Sequence, residues 1–513
     1  MAIKTFAAID IGSYVVSMKI FEVSKKNGMR QIDHIRHSID MGTESYTTGK
    51  LSIERVDELC ETLNEYKKIM DSYHVEAYRA YGTSAIRESQ NKSILIDQVR
   101  QRTGIEIEVL SNSEQRFLDY KSIAFQGESF DRIIEEGTAI VDIGGGSIQI
   151  SLFDKDTLVS TQNLKLGVLR LQERMNHLNA SLSQYAPLIE ELVESLMSVY
   201  KKLYLKDRQI KNLIIVDDYI TALTKRRSGE KKEEFITRED LRHFLTLRKE
   251  KSIPELSRML DMPEEDLPLL YISLLMVQRI MDDMEAENIW APGVTLCDGI
   301  AYEYAEQNKI ISSIHDFEKD IIACAQSISK RYQGSKKRSE TLEKIALTIF
   351  DSTKKIHGLS KRERLLLQIS TILHDCGKYI SMMNLGDCSY SIIMATEIIG
   401  LSHQEREIVA NVVKYNHKTF DYYEEMNHTA SLDRDAYLKI AKLTAILRVA
   451  NALDRSHKQK FKNVRISVRE EQLLITVETN EDITLERGLF GARAEFFTEV
   501  FNLEPVIKQK RTL

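Results

Sequence analysis

The stretch that decides the fold is Ala139-Ile140-Val141-Asp142-Ile143-Gly144-Gly145-Gly146-Ser147-Ile148-Gln149. An apolar run ends in an aspartate, three glycines follow, and a second apolar alternation begins, which predicts a strand, a tight turn and another strand. Glycine tolerates positive φ and lacks a side chain, so a phosphate can approach the backbone N–H groups of such a turn. Asp142, at the end of the first strand, can hold a hydrated Mg²⁺ beside that phosphate. The alternative is a glycine-rich hairpin that binds no ligand.

The same pattern occurs a second time, at the start of the chain. The residues there are Ala7-Ala8-Ile9-Asp10-Ile11-Gly12-Ser13, again an apolar strand, an aspartate, an Ile-Gly turn and a serine. Two such hairpins a domain's length apart predict a duplicated α/β unit. The two phosphate-binding turns would then face each other across a cleft.

Length and composition restrict the class of protein. A chain of 513 residues is too long for a single core. The net charge of −6 does not predict a nucleic-acid-binding protein. The five cysteines form no CxxC pair, which fits a reducing compartment and no structural zinc. There is no signal-peptide pattern and no apolar run of about 18 residues, so we expect a cytoplasmic protein without a membrane partner.

The predicted elements divide the chain into four domains. Strands alternate with helices over residues 1–123 and again over 124–303, and helices dominate 304–460. Residues 461–513 predict a hairpin at 464–477 and a helix at 491–502, which together form a small cap. The fold class is therefore α/β, with a duplicated α/β pair, an all-α domain and a small α/β C-terminal domain. A charged loop at 225–232 is expected to be solvated.

Five blocks resemble, in the same order, those of the exopolyphosphatase/guanosine pentaphosphate phosphohydrolase family, whose duplicated domains belong to the actin-like, ribonuclease H-like ATPases. The blocks are Asp10–Ser13, Thr83–Arg87 with Asn91, Ser111–Glu114, Asp142–Ser147 and Leu166–Leu171. Two later segments, Leu373–Lys378 and Leu447–Asp454, resemble the helical HD-type domain of the family's long members. The resemblance therefore covers nearly the whole chain.

The resemblance implies Mg²⁺-dependent hydrolysis of terminal phosphoanhydride bonds in inorganic polyphosphate or guanosine pentaphosphate. Asp10 and Asp142 would hold Mg²⁺ or another divalent cation, Arg87 would offer a bidentate fork, and Glu114 matches the proposed base for the attacking water. The residues expected to bind phosphate are Gly12, Ser13, Thr83, Ser84, Gly144, Gly145, Gly146 and Ser147. Polyphosphate and guanosine pentaphosphate stay open as substrates, and a homodimer stays open as the assembly.

Two of these roles have a structural alternative. Ser111-x-x-Glu114 is also the pattern of a capping box, in which Glu114 bonds back to the Ser111 amide. Arg87 is equally compatible with an ordinary first-turn surface arginine.

Three positions in the cleft depart from the family pattern. Gln149 stands where the family has a glutamate, and Tyr14 replaces an asparagine in the first turn. The segment that usually reads Gly-Gly-Thr is Val216-Asp217-Asp218-Tyr219, and its two carboxylates would repel a polyanion. These departures support an alternative function, a catalytically weakened family member that senses polyphosphate or an alarmone.

The helical domain departs in a similar way. His374, Asp375 and Asp454 remain from an HD-type metal site. Arg338 occupies the position of the first histidine, and Cys388 and Asn416 take two further ligand positions. His417 lies one residue out of register and is the alternative candidate for a missing ligand. A site that lacks these ligands would bind a metal weakly, so we expect a catalytically silent domain.

Overall fold

The computed structural model describes residues 3–155, 157–217, 219–220, 223, 235–313, 315–427, 432–461 and 463–510. The chain forms two compact units, residues 1–317 and 318–513. Residues 304–317, which the sequence assigned to the helical domain, belong to the first unit. Asp218 and the charged loop at 225–232 lie outside the described residues.

The first unit is built on two mixed sheets. Its described strands are β1 (Lys4–Ile11), β2 (Val15–Ser24), β3 (Gly28–Ser38), β4 (Ala77–Gly82), β5 (Ile107–Val109), β6 (Thr138–Ile143), β7 (Ile148–Asp154), β8 (Thr157–Leu164), β9 (Asn212–Val216), β10 (Phe235–Thr237) and β11 (Asn288–Trp290). The strand order is β3-β2-β1-β4-β5 in the first sheet and β10-β11-β9-β6-β7-β8 in the second.

Helices connect these strands. Those described are α1 (Met41–Thr48), α2 (Ile53–Ser72), α3 (Ser84–Glu88), α4 (Lys92–Thr103), α5 (Asn112–Ala124), α6 (Glu128–Ile134), α7 (Val168–His177), α8 (Leu182–Tyr200), α9 (Arg238–Glu250), α10 (Ile253–Leu260), α11 (Leu267–Met284) and α12 (Leu296–Gln307). A π-helical turn at Lys201–Leu205 extends α8, so the helical pitch changes at its end.

The two sheets repeat one arrangement around their aspartate strands. β1 pairs antiparallel with β2 and parallel with β4, and β6 pairs antiparallel with β7 and parallel with β9. The turns close in the same way, because the Gly12 N–H donates to Val15 O at 3.0 Å and the Gly144 N–H donates to Ser147 O at 2.9 Å. The duplication predicted from the two hairpins is therefore visible in topology and in turn geometry.

The core of the first sheet shows why these helices form where they do. α2 begins at Ser52, whose side chain accepts from the Arg55 N–H. Leu59 and Leu63, one turn apart, are fully buried in the cluster that covers the sheet. Burial of each such leucine contributes about 1.5–3 kcal/mol. The apolar face of α2 thus packs against the sheet whose strand β1 carries Asp10.

The second unit consists of helices followed by a three-stranded sheet. The described helices are α13 (Phe317–Arg331), α14 (Lys336–Ser352), α15 (Lys354–His357), α16 (Lys361–Ile372), α17 (Leu385–Ala395), α18 (His403–Tyr415), α19 (Tyr423–Asn427), α20 (Arg434–Ala452) and α21 (Thr484–Phe501). The sheet has the order β12 (Asn463–Arg469), β13 (Gln472–Glu478) and β14 (Glu504–Lys510).

Two features of the C-terminal cap differ from the sequence prediction. The last helix begins at Thr484 rather than at 491, because buried Phe490 anchors a turn that Gly488 and Gly491 disfavour by propensity. The strand β14 was not predicted, and it pairs parallel with β13. Among the helices that the structure describes, none combines the length and the apolar character needed to cross a membrane.

Candidate active site

A cavity of about 130 Å³ lies between the two sheets of the first unit. Most of the predicted site residues line it, namely Asp10, Gly12, Ser13, Thr83, Ser84, Asp142, Gly144 and Gly145. They come from the ends of β1 and β6, from the turns that follow, and from the start of α3. The duplicated hairpins thus bring their aspartates and glycines to one cleft.

The remaining two residues of the glycine turn do not line the cavity. A Cβ atom at Gly146 would collide with the hydroxyl group of Tyr46, so this glycine is required for side-chain packing. Ser147 is buried, and its carbonyl accepts the Gly144 N–H that closes the turn. Their predicted contact with phosphate remains a prediction.

A third carboxyl group, which the sequence did not reveal, lies in the cavity. Asp119 on α5 lines it together with Asp10 and Asp142. Burial raises the pKa of Asp119 well above its ordinary value, and Asp142 and Asp10 raise it further through their charges and a hydrogen bond to Asp142. The cavity therefore favours a protonated Asp119.

The donor set suits Mg²⁺ better than a transition metal. Asp10 and Asp142 supply hard carboxylate oxygens, and Mg²⁺ is usually held by one or two carboxylates together with substrate phosphates and water. Across the described part of the chain, no group of three or more His, Cys, Asp or Glu side chains is arranged to hold a metal ion by itself. A divalent cation would therefore depend on the substrate for part of its coordination.

Glu114 forms the capping box that its spacing allows. Its Oε2 accepts from the Ser111 amide at 2.9 Å and from the Ser111 hydroxyl at 2.6 Å. Glu114 does not line the cavity, whereas its neighbour Gln115 does. Gln115 and Asp119 stand four residues apart and share one face of α5, which is the sequence signal that could have found both. At the start of α5, the side chain that faces the cleft is therefore the amide of Gln115, which cannot act as a base.

Arg87 lies at the edge of this region. Its Nη1 donates to Leu110 O at 2.8 Å and to Gln115 Oε1 at 3.3 Å. Arg87 is half-buried and is not part of the cavity lining. It supports the start of α5 in this structure, and its proposed contact with phosphate remains a prediction.

Gln149 lies directly opposite Asp142 in the β6–β7 ladder. It is buried, and its Oε1 accepts from Arg116 Nε at 2.8 Å. Arg116 is buried as well and also donates to the Thr161 hydroxyl. The amide at this position therefore pairs with a cation of the protein, and Gln149 is not part of the cavity lining.

Asp217 and Tyr14, two other departures from the family pattern, do line the cavity. The Oδ1 of Asp217 accepts from the backbone N–H groups of Tyr219 and Ile220, each at 2.7 Å, and its Oδ2 accepts from the Ser273 hydroxyl at 2.7 Å. Asp217 thus occupies backbone donors of the kind that bind phosphate in glycine-rich turns.

The predicted HD-type residues of the second unit lie in one buried cluster. His374 is fully buried, its Nδ1 donates to Thr371 O at 2.8 Å, and its Nε2 lies 3.7 Å from Asp375 Oδ2. Arg338 Nε lies 3.7 Å from Asp454 Oδ2, and Arg338 Nη2 donates to an asparagine side chain at 2.7 Å. A guanidinium therefore supplies the positive charge beside the carboxylate.

His417 uses one of its two ring nitrogens within this cluster. Its Nε2 donates to His374 O at 2.8 Å, which uses that nitrogen. Burial lowers the pKa of His374 to about 3 and that of His417 to about 4. Both imidazoles are therefore neutral near pH 7.

The two α/β halves, with aspartate–glycine turns at a shared cleft, define an actin-like fold. The chain belongs to the Ppx/GppA phosphatase family, whose model matches residues 20–308, and the model of the family's domain III matches residues 322–492.

Individual relatives agree with this assignment. A guanosine-5'-triphosphate,3'-diphosphate pyrophosphatase of Photobacterium profundum is 20% identical over 92% of this chain and 91% of its own. Exopolyphosphatase 1 of Mycobacterium bovis is 26% identical over 32% of this chain and 46% of its own length. The solved structure of an exopolyphosphatase from Cytophaga hutchinsonii shares the fold over 61% of this chain and all of that chain, with a TM-score of 0.51 and 17% identity.

Proposed function

We propose that this protein hydrolyses terminal phosphoanhydride bonds of inorganic polyphosphate or of guanosine pentaphosphate with the help of Mg²⁺. The observation that carries the proposal is the convergence of Asp10 and Asp142, each followed by a glycine turn, on one cavity. Phosphoryl transfer depends mainly on positioning and on charge neutralisation, which such a cleft provides.

We assign the following roles in hydrolysis to residues of this chain. Asp10 and Asp142 would hold the cation, which neutralises charge on the phosphate oxygens. The hydroxyl groups of Ser13 and Ser84 face the cavity and can donate to the terminal phosphate. No base is assigned to the attacking water, because Gln115 is an amide and Glu114 is bound in its capping box. We therefore expect slow turnover.

A second function, a sensor that binds the same ligands without efficient hydrolysis, rests on a separate observation. Asp217 fills backbone donors at the third turn, and Arg116 holds the amide of Gln149. Both arrangements remove groups that a hydrolase of this class would direct at its substrate. The homodimer considered from the sequence stays a prediction.

The deciding experiment measures phosphate release from long-chain polyphosphate and from guanosine pentaphosphate over a range of Mg²⁺ concentrations. The variants Asp142→Asn and Asp10→Asn test the two carboxylates that carry the proposal. Mg²⁺-dependent release that both substitutions abolish supports the hydrolase. Tight binding of either ligand with release at background level supports the sensor, and neither binding nor release would refute both.

A further inference from the structure

We infer that Tyr46 is a positioning residue for the bound anion, because its hydroxyl group sets the donor direction of Ser84. The three hydroxyl groups form a closed triangle. Tyr46 Oη lies 2.6 Å from Ser13 Oγ and 2.9 Å from Ser84 Oγ, and the two serine oxygens are 2.9 Å apart. The inference rests on the proposed role of these serines in binding phosphate.

The surroundings of Tyr46 hold its ring in place. α1 is attached to the first turn because the Gly42 N–H donates to Ser13 O at 2.7 Å. On the other side, Gly146 leaves room for the phenol oxygen, since any side chain there would collide with it. The Arg170 guanidinium lies 4.0 Å from the centre of the Tyr46 ring, and its Nε donates to Gly146 O at 2.8 Å. Tyr46 is therefore fixed where residues of both halves meet.

The number of hydroxyl protons in the triangle determines which hydroxyl group can donate to a bound ligand. Tyr46 donates its single hydroxyl proton to Ser84 Oγ. The proton of Ser84 is then available to another acceptor, and a phosphate oxygen is a stronger acceptor than the Ser13 hydroxyl. Ser13 and Ser84 line the cavity, whereas Tyr46 lies behind them. A hydroxyl group that accepts a hydrogen bond also becomes a better donor.

Burial supports this donor role. Desolvation raises the pKa of the Tyr46 phenol above its ordinary value, so the group keeps its proton at neutral pH. An ionised phenolate would instead accept from both serines and repel a phosphate. The neutral hydroxyl donates to Ser84 and accepts from Ser13, so the proton of Ser84 is the one left for a ligand in the cavity.

The test is Tyr46→Phe, which keeps the ring between Arg170 and Gly146 and removes only the oxygen. The probe is tripolyphosphate, with binding measured by calorimetry and hydrolysis by phosphate release. We expect the Kd or KM to rise about 5- to 10-fold, which corresponds to the loss of roughly one ordinary hydrogen bond, while kcat changes less than about twofold. The matched control is Tyr66→Phe, since that buried hydroxyl donates to Val16 O at 2.7 Å and lies outside the cavity lining.

A double-mutant cycle separates positioning from a general loss of stability. In a Ser84→Ala background, Tyr46→Phe should weaken tripolyphosphate binding much less than in wild type, because the relay through Ser84 is already broken. Equal effects in both backgrounds, or tighter binding by Tyr46→Phe, would overturn the inference. If wild type binds tripolyphosphate without hydrolysing it, hydrolysis fails and the binding arm still decides on Tyr46. If wild type neither binds nor hydrolyses tripolyphosphate, the inference about Tyr46 fails, while the proposed function is decided separately with long-chain polyphosphate and guanosine pentaphosphate.

Discussion

The carboxyl group of Asp119 carries an electrostatic cost in the folded protein. It is almost fully buried, and Asp142 and Asp10 lie close enough to oppose its ionisation. A carboxyl group whose pKa is raised on folding favours the folded state below its unfolded pKa of about 3.9. That contribution is lost as the pH rises through the higher folded pKa. The cost is therefore present above that pKa and absent in acid.

We expect Asp119→Asn to stabilise the protein above the folded pKa of Asp119, by about 1–3 kcal/mol, because the amide has nearly the same shape and does not ionise. Urea unfolding across a pH series measures the difference, which should shrink toward pH 4. The exposed Asp207→Asn serves as control and should show no such trend. A variant that is less stable than wild type at neutral pH would mean that Asp119 forms a favourable ionic contact.

Gln149 offers a second substitution with a clear expectation. Because Arg116 donates to its side-chain oxygen, the carboxylate of Gln149→Glu would pair with that buried cation. We expect the dependence of phosphate release on Mg²⁺ to change less than about threefold, since a neutralised charge adds little attraction at Asp142. Gln162→Glu, on the neighbouring strand β8, is the matched control. A rise of tenfold or more would show that the new carboxylate turns toward the cation.

Glu114 lies in the first turn of α5, so its substitution can test whether it is a helix cap or the base for the attacking water. The capping box satisfies backbone donors that would otherwise be exposed at the helix start. We expect Glu114→Ala to lower the free energy of unfolding by about 0.5–2 kcal/mol and to leave kcat within about threefold. Thermal unfolding and phosphate release on the same samples measure both, and Ser111→Ala should reproduce the stability change. A fall in kcat of about 10²-fold without loss of stability would assign Glu114 as the base.

Helix α5 and the two hairpins show which features of the site can be predicted from sequence patterns. Alternation with period two, ended by Asp10 and Asp142, was enough to predict both hairpins, because strand and turn geometry are local. The cleft-facing residues of α5 were not predictable in this way. Whether Glu114 or Gln115 faces the cavity depends on the rotation of the helix, which tertiary packing sets. Asp119 was missed for the same reason.

Side-chain pairing over long distances in sequence was equally hard to foresee. The bond between Arg116 and Gln149 joins a helix to a strand 33 residues away. In the second unit, the family resemblance placed Arg338 at a metal-ligand position, and the structure puts its guanidinium beside Asp454. The sequence identified position 338 as a departure from the metal-ligand pattern. Only the fold shows that the Arg338 guanidinium lies beside the Asp454 carboxylate.

The polar clusters of the two compact units differ in their access to solvent and ligand. In the first unit, carboxylates and hydroxyl groups line an open cavity that solvent and ligand can enter. In the second unit, the corresponding polar cluster is closed. Arg338, His374 and Asp454 are all buried, and the guanidinium already compensates carboxylate charge. Phosphate chemistry is therefore expected from residues 1–317 alone.

This division of roles predicts opposite outcomes for two aspartate-to-asparagine substitutions in the full-length chain. Asp142→Asn should lower phosphate release on the order of 10²-fold or more, because the proposed cation would lose one of its two protein carboxylates, with little effect on the second unit. Asp454→Asn should leave kcat and KM unchanged at 25 °C while it lowers the free energy of unfolding by about 1–3 kcal/mol, since buried Arg338 keeps Asp375 nearby but loses one of its two neighbouring carboxylates. Phosphate release and thermal unfolding, with elemental analysis of both proteins, measure these effects. Loss of activity in Asp454→Asn, or a bound transition metal that this substitution removes, would contradict the division, because the second unit would then hold a functional metal site.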